Sequence, residues 1–205
     1  MLTNQDYKNR ALTSLDGNWG SMVLTTLVYF IISGFLSSLF SAPFGSETVA
    51  GYSVQGGWSL LCLPLSWGFS IIFLNLIRKG DFRLERLFDG YKDFIRIFLA
   101  GFLVTLAVVI GCLFLIVPGI ILALMFAQTE YILKDDQEIS AVDAMAKSIR
   151  MMNGHKVELF VLWLSFIGWF LLSLLTLGLG FLLLAPYFNT TMAHYYEDLK
   201  AECSE

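Results

Sequence analysis

Apolar positions along the chain gather into runs too long to be the single faces of soluble helices. Ser21–Phe40, Trp58–Ile77, Ile97–Val117 and Val157–Leu177 are each about 20 residues of mostly apolar chain, enough to cross a bilayer core as helix. Two more runs, Gly119–Leu133 and Gly178–Tyr196, follow their predecessors with almost no gap. One helix over Phe94–Leu133 would be about 60 Å long at about 1.5 Å per residue, so the chain must reverse within it. Pro118 and Gly119 mark the expected reversal, because Pro removes a backbone donor and Gly admits a left-handed turn. Gly178 and Gly180 mark the same event in the last pair. The pattern predicts an all-α polytopic membrane protein with six transmembrane helices in three hairpins.

Polar residues punctuate these runs with a repeated signal. LDGNWG (Leu15–Gly20), FDGYKD (Phe88–Asp93) and MNGHKV (Met152–Val157) each lead into an apolar run. A helical stripe precedes each one: Tyr7, Ala11 and Leu15; then Leu84, Leu87, Phe88 and Tyr91; then Val142, Met145, Ala146, Ile149 and Met152. Ser140 with Asp143 reads as a capping pair. The expectation is an amphipathic helix lying on the membrane surface before each hairpin. Gly17, Gly90 and Gly154 would then act as left-handed caps at the corner where the chain turns inward.

A second echo accompanies the first. Phe73-Leu-Asn75, Phe126-Ala-Gln128 and Tyr187-Phe-Asn189 each set a carboxamide two residues after an aromatic, in the inner half of a returning helix. Two linked echoes suggest degenerate triplication. The chain reads as one integral membrane domain, 1–205, with pseudo-repeats of about 1–80, 81–138 and 139–205. The first unit is longer, with an extra outer loop around Pro43–Gly57.

Composition agrees with a membrane chain, with 57% hydrophobic and 15% charged residues. Charge adds orientation. Of 13 Lys and Arg residues, Lys8 and Arg10 precede the first run. Arg78, Lys79, Arg83, Arg86, Lys92 and Arg96 separate the second from the third, and Lys134, Lys147, Arg150 and Lys156 the fourth from the fifth. Lys200 follows the last. The positive-inside rule places both termini and these two connections in the cytoplasm, with Glu47 the one charge outside. The mixed charge before the first run argues against a cleaved signal. Cys62, Cys112 and Cys203 have neither disulfide nor metal-ligand spacing.

The stretch Ser148–Leu199 resembles the signature of the bacterial domain of unknown function 975 family. The resemblance rests on the Ser148…Met152-Asn153-Gly154-His155-Lys156 corner, Leu164–Trp169, Thr176–Gly180, Pro186-Tyr187 and Tyr196-Glu197, with Ala11–Trp19 similar to the family's start. It implies a multi-pass protein of the bacterial cytoplasmic membrane and implies no activity.

Candidate chemistry is sparse. Asn75, Gln128 and Asn189 either converge on an inner-facing polar cavity, joined by Glu130, Thr190, Thr191 and His194, or serve as hydrogen-bonding glue between helices. Glu130 precedes Lys134 by four residues, the spacing of a helical ion pair, and proton coupling is its sharper reading. His155-x-x-Glu158 and His194-x-x-Glu197 have helical-face spacing, but metal is not assigned to them. The tryptophans read partly as interface anchors, with Trp169 deeper in packing. No P-loop, dinucleotide, nucleophile-elbow or nucleic-acid pattern occurs. The sequence therefore predicts a non-enzymatic membrane module, without cofactor, whose partners are membrane lipid, a membrane protein or a second copy. A small transporter is the alternative.

Overall fold

A computed structural model describes residues 2–44 and 48–203. Glu47, the charge expected outside, lies beyond the described residues. The order is α1 Asn4–Leu15, α2 Trp19–Ser41, α3 Val49–Ile77, a 3-10 helix Leu84–Tyr91, α4 Phe94–Phe114, α5 Ile116–Asp135, α6 Ala141–Met151, α7 Lys156–Leu175 and α8 Phe181–Glu202. Among the described residues, α2, α3, α4, α5 and α7 are long and apolar enough to cross a membrane. The sixth expected run is drawn into α8, whose last turns carry Glu197, Asp198, Lys200 and Glu202.

The chain stays helical where its glycines suggested a loop. α3 begins at Val49, and Thr48 caps it by accepting the Gly51 N–H at 3.1 Å. Most of the expected outer loop is therefore helix, because a helix satisfies its own backbone whatever its medium. Cys62 interrupts α3 just before Pro64, which cannot donate to the preceding turn. In α2 a π-helical turn spans Ile31–Phe35, and the Trp58 indole N–H donates to its Ile32 carbonyl at 3.1 Å.

The second hairpin reverses earlier than Pro118 and Gly119 predict. Leu115 alone is extended, at φ −164° and ψ 149°, and α5 starts at Ile116. Pro118 sits in the first turn of α5, where its missing N–H costs nothing. Gly119 serves packing instead: a Cβ there would lie 2.9 Å from the Cys112 backbone nitrogen. The third hairpin reverses over Thr176–Gly180, where Leu177 (φ 54°) and Gly178 (φ 90°) are left-handed. The Gly178 N–H reaches the Ser173 carbonyl at 3.1 Å and the Leu177 N–H reaches Leu174, closing a Schellman cap. Gly180 lies against Ser173 rather than in the cap itself.

The segments before the hairpins exist, but protein buries more of them than a surface helix would allow. Tyr7, Ala11 and Leu15 of α1 are fully enclosed. α1 lies across the third hairpin: Tyr7 packs on Tyr195, Lys8 donates to the Ser165 carbonyl, and Arg10 pairs with Asp198. Residues 84–91 form a 3-10 helix, whose three-residue period aligns Leu84, Leu87 and Gly90 on one row. Phe88 and Tyr91 stay exposed. Gly90 is consequently no left-handed cap: a Cβ there would lie 2.1 Å from the Pro64 carbonyl oxygen, so close approach to α3 demands the glycine. Gly17 (φ 78°) and Gly154 (φ 94°) are left-handed corners. α6 starts as expected, with Ser140 accepting the Asp143 N–H at 3.1 Å. Its protein-facing side is Ala141, Ala144, Ser148 and Met151, while Val142 of the predicted stripe is 60% exposed.

One apolar core runs from Tyr7 to Leu199 and takes side chains from most of the helices along the chain. At one end the elements are clasped by charge. Arg78 forks onto Asp135 at 2.6 and 3.2 Å, and its Nε donates to Glu197 at 2.7 Å. Tyr196 and Lys200 reach the same Asp135 oxygen at 2.8 and 2.5 Å. Burial works against the Arg78 charge, but its hydrogen bonds to Asp135 and Glu197 prevail and raise its pKa. Arg96 donates to the Leu133, Asp136 and Ile139 carbonyls and so covers the open end of α5.

Candidate functional site

The site begins with a fault in α5. The helix breaks at Ala127-Gln128, between Ile116–Phe126 and Thr129–Asp135. Ser148 of α6 repairs the freed backbone: its hydroxyl donates to the Met125 carbonyl at 2.7 Å and accepts the Gln128 N–H at 3.3 Å. Trp67 of α3 ties the next turn, its indole N–H donating to the Glu130 carbonyl at 2.9 Å. A cavity of ≈ 390 Å³ opens beside this contact between α3 and α5.

Gln128, Glu130 and Asn189 line this cavity, with Ser66, Trp67 and Ser70 of α3, Thr105 of α4, Thr129 of α5, and Trp163 and Phe188 from the third hairpin. Gln128 and Thr129 are each 2% exposed. Among the described residues, Gln128 Oε1 and Thr129 Oγ1 have no hydrogen-bond partner. The Gln128 amide nitrogen meets the Met152 sulfur at 3.7 Å. Ser70 lies within hydrogen-bonding reach of the Glu130 carboxyl group. The expected Glu130–Lys134 pair is not formed; among the described residues, Glu130 has no ion pair.

The three amides do not form a ring. Asn75 stands at the end of α3, away from the cavity. Its carbonyl accepts the Gly80 N–H at 2.8 Å and its side chain donates to the Asp81 carbonyl at 3.1 Å, so it caps its own helix. The reason is local: Lys79 is left-handed (φ 54°), and Asn75 secures that turn. Thr190 and Thr191 are buried and bond back to the Pro186 and Tyr187 carbonyls. His194 faces Ser14 of α1 at 2.9 Å, outside the cavity.

The two His-Glu motifs stay apart. His155 meets Glu158 at 3.1 Å and Glu202 at 3.5 Å, whereas Glu197 belongs to the Arg78 clasp. Among the described residues, no group of three or more His, Cys, Asp or Glu is placed to hold a metal. Trp67 is 6% exposed and holds α5, not an interface. Trp169, expected in packing, is 51% exposed and lines an apolar groove with Trp19 and Leu12.

Ser66, Ser70, Thr129 and Ser148 escape a reading of sequence alone. Ser66 and Ser70 are four apart and share a helix face, but small hydroxyls in an apolar run look like packing. A buried break in α5 is what turns Thr129 and Ser148 into site residues.

Five helices among the described residues that are long and apolar enough to cross a membrane, packed on one core, are consistent with a polytopic helical membrane protein. The family described as "Protein of unknown function (DUF975)" matches residues 1–124 and 104–203, and the chain belongs to that family. No curated protein and no solved structure matches it.

Proposed function

We propose that the protein is a non-enzymatic module of the bacterial cytoplasmic membrane that binds an amphiphilic molecule in the cavity between α3, α4 and α5. Six crossings in three hairpins, with both termini inside, are the arrangement consistent with its Lys and Arg distribution. α8 supplies the sixth crossing through its apolar first half.

One observation carries the reading. Among the described residues, Gln128 Oε1 and Thr129 Oγ1 are buried without partners beside the Glu130 carboxyl group, at a cavity whose wall is mostly apolar and aromatic. A helix bundle built only to be stable satisfies such atoms, because each one left alone costs about 1 to 3 kcal/mol. Retained at a cavity, they suit a ligand that brings its own polar head and apolar body. The transporter alternative is less well supported, because Asn75 lies outside the cavity.

The test is occupancy. Protein purified in mild detergent is expected to carry about one tightly held amphiphile per chain, seen by native mass spectrometry and solvent extraction. Thr105→Trp, a substitution at the exposed rim, is expected to abolish that retention without unfolding the bundle. Equal retention by the variant and the parent chain would defeat the proposal.

A further inference from the structure

Taking the cavity as a binding site, as proposed above, we infer that it selects a primary amine: an amphiphile whose head is an R–NH3+ group. The polar atoms lining the cavity are sorted by role. Three lining hydroxyls bond within their own helices, Ser66 to the Leu63 carbonyl, Ser70 to Ser66 and Thr105 to Gly101, and Ser70 alone of them is also within reach of the Glu130 carboxyl group. The Asn189 amide nitrogen bonds to the Ala185 carbonyl and the Trp67 indole to the Glu130 carbonyl. What is left without a partner among the described residues at the cavity wall is Gln128 Oε1 and Thr129 Oγ1, two oxygens able to accept (Thr129 with its own O–H besides), beside the Glu130 carboxyl group.

Charge points the same way. Among the described residues that line the cavity, Glu130 is the one acid, and none is Lys, Arg or His. A carboxyl group among apolar walls is either neutral or paired, and a bound cation favours the charged form. An ammonium head supplies one positive charge and three N–H donors, matching one carboxylate and two nearby acceptors. Trp67 and Trp163 place aromatic rings in the same wall, and such rings attract cations. A phosphate or carboxylate head would face Glu130 with like charge, and a quaternary ammonium would bring no N–H donor to Gln128. The amine can come from an aminophospholipid headgroup or from a free lipophilic amine, because the recognition chemistry is shared.

The experiment uses the full chain in phosphatidylcholine nanodiscs, read by its thermal unfolding midpoint. Octylamine is expected to raise the midpoint saturably. Octanol and octyltrimethylammonium are expected to leave it near its starting value. Glu130→Gln should shift the octylamine response to about tenfold higher concentration, the size of one lost charge-assisted contact. Gln128→Met, which keeps the side-chain volume and removes the acceptor, should weaken it severalfold, and it serves if the Glu130 variant does not fold. Replacing part of the lipid with phosphatidylethanolamine separates the two sources. A response already saturated there assigns the amine to the lipid headgroup, and an undiminished one assigns it to a free amine; both uphold the inference. Equal responses to octanol or octyltrimethylammonium, or an unchanged response in both variants, would overturn the amine assignment and leave the cavity as a less selective site. No response to any of the three, together with equal retention by Thr105→Trp and the parent chain, would remove the binding site itself.

Discussion

Ser148 shows how much one hydroxyl can hold. It accepts from Gln128 and donates to Met125 across the break in α5, and it is fully buried. Ser148→Ala should therefore strand a donor and an acceptor at once and cost about 2 to 4 kcal/mol, read as a lowered thermal midpoint in detergent. Ser148→Cys should recover only part of it. A residue on the exposed loop carries a pH signature instead. Hydrogen bonds from Arg83, side chain and backbone, and then from Arg86 hold the Asp81 carboxyl well below the usual carboxylate range. Its folded pKa is thus depressed, so its contribution is present above the unfolded value near 3.9 and is lost as pH falls through the folded one. Carboxyl carbon-13 titration should find Asp81 still ionised at about pH 3.5, and Arg83→Ala should move its titration toward the ordinary range.

At the scale of elements, three glycines in one sequence motif do two different jobs. Gly17 and Gly154 have left-handed backbones and open space where a Cβ would go, whereas Gly90 has no such backbone and is pressed against Pro64. Asn tolerates the left-handed region, so Gly154→Asn should cost no more than about 1 kcal/mol. Gly90→Asn should disrupt the docking of the 3-10 helix on α3 and lower the unfolding midpoint far more. Comparable effects at the two positions would contradict the assignment. The motif was legible as a corner in all three copies. The copies diverge because Leu84–Tyr91 winds with a period of three, which no apolar pattern of four residues, Leu84, Leu87, Phe88 and Tyr91, distinguishes from an α-helix. α6 misleads for another reason: its small residues, not its large apolar ones, face the protein, since close helix approach favours Ala and Ser.

Across the whole molecule the long helices, their order and the charged connections can be read from the sequence, because run length and charge are local properties. The cavity cannot. It needs α3 held against α5 and α5 broken at Gln128, and both depend on contacts far apart in the chain, Trp67 with Glu130 and Ser148 with Met125. The charged clasp is equally hidden, since Arg78, Asp135 and Glu197 lie 57 and more residues apart in the chain. Arg78→Ala removes a bidentate pair and a second carboxylate contact in one step. It should cost about 1.5 to 3 kcal/mol. It should also raise amide exchange at the ends of α3, α5 and α8 together, while the apolar tips of α4 and α7 stay unchanged. Exchange confined to α3 would show that the three ends are not coupled.

The turn at Leu115 also bears on how such a chain is assembled. Its N–H reaches the Gly111 carbonyl at 3.1 Å and its carbonyl accepts from Gly119 at 3.4 Å, so even the reversing residue keeps both backbone groups bonded. Around it Leu113, Phe114, Ile116 and Val117 are exposed and wholly apolar. The leading edge of this hairpin thus presents nothing that prefers water. α4 and α5 are suited to enter hydrocarbon together, as a wedge already folded on itself, with no charged group to be hauled across ahead of them.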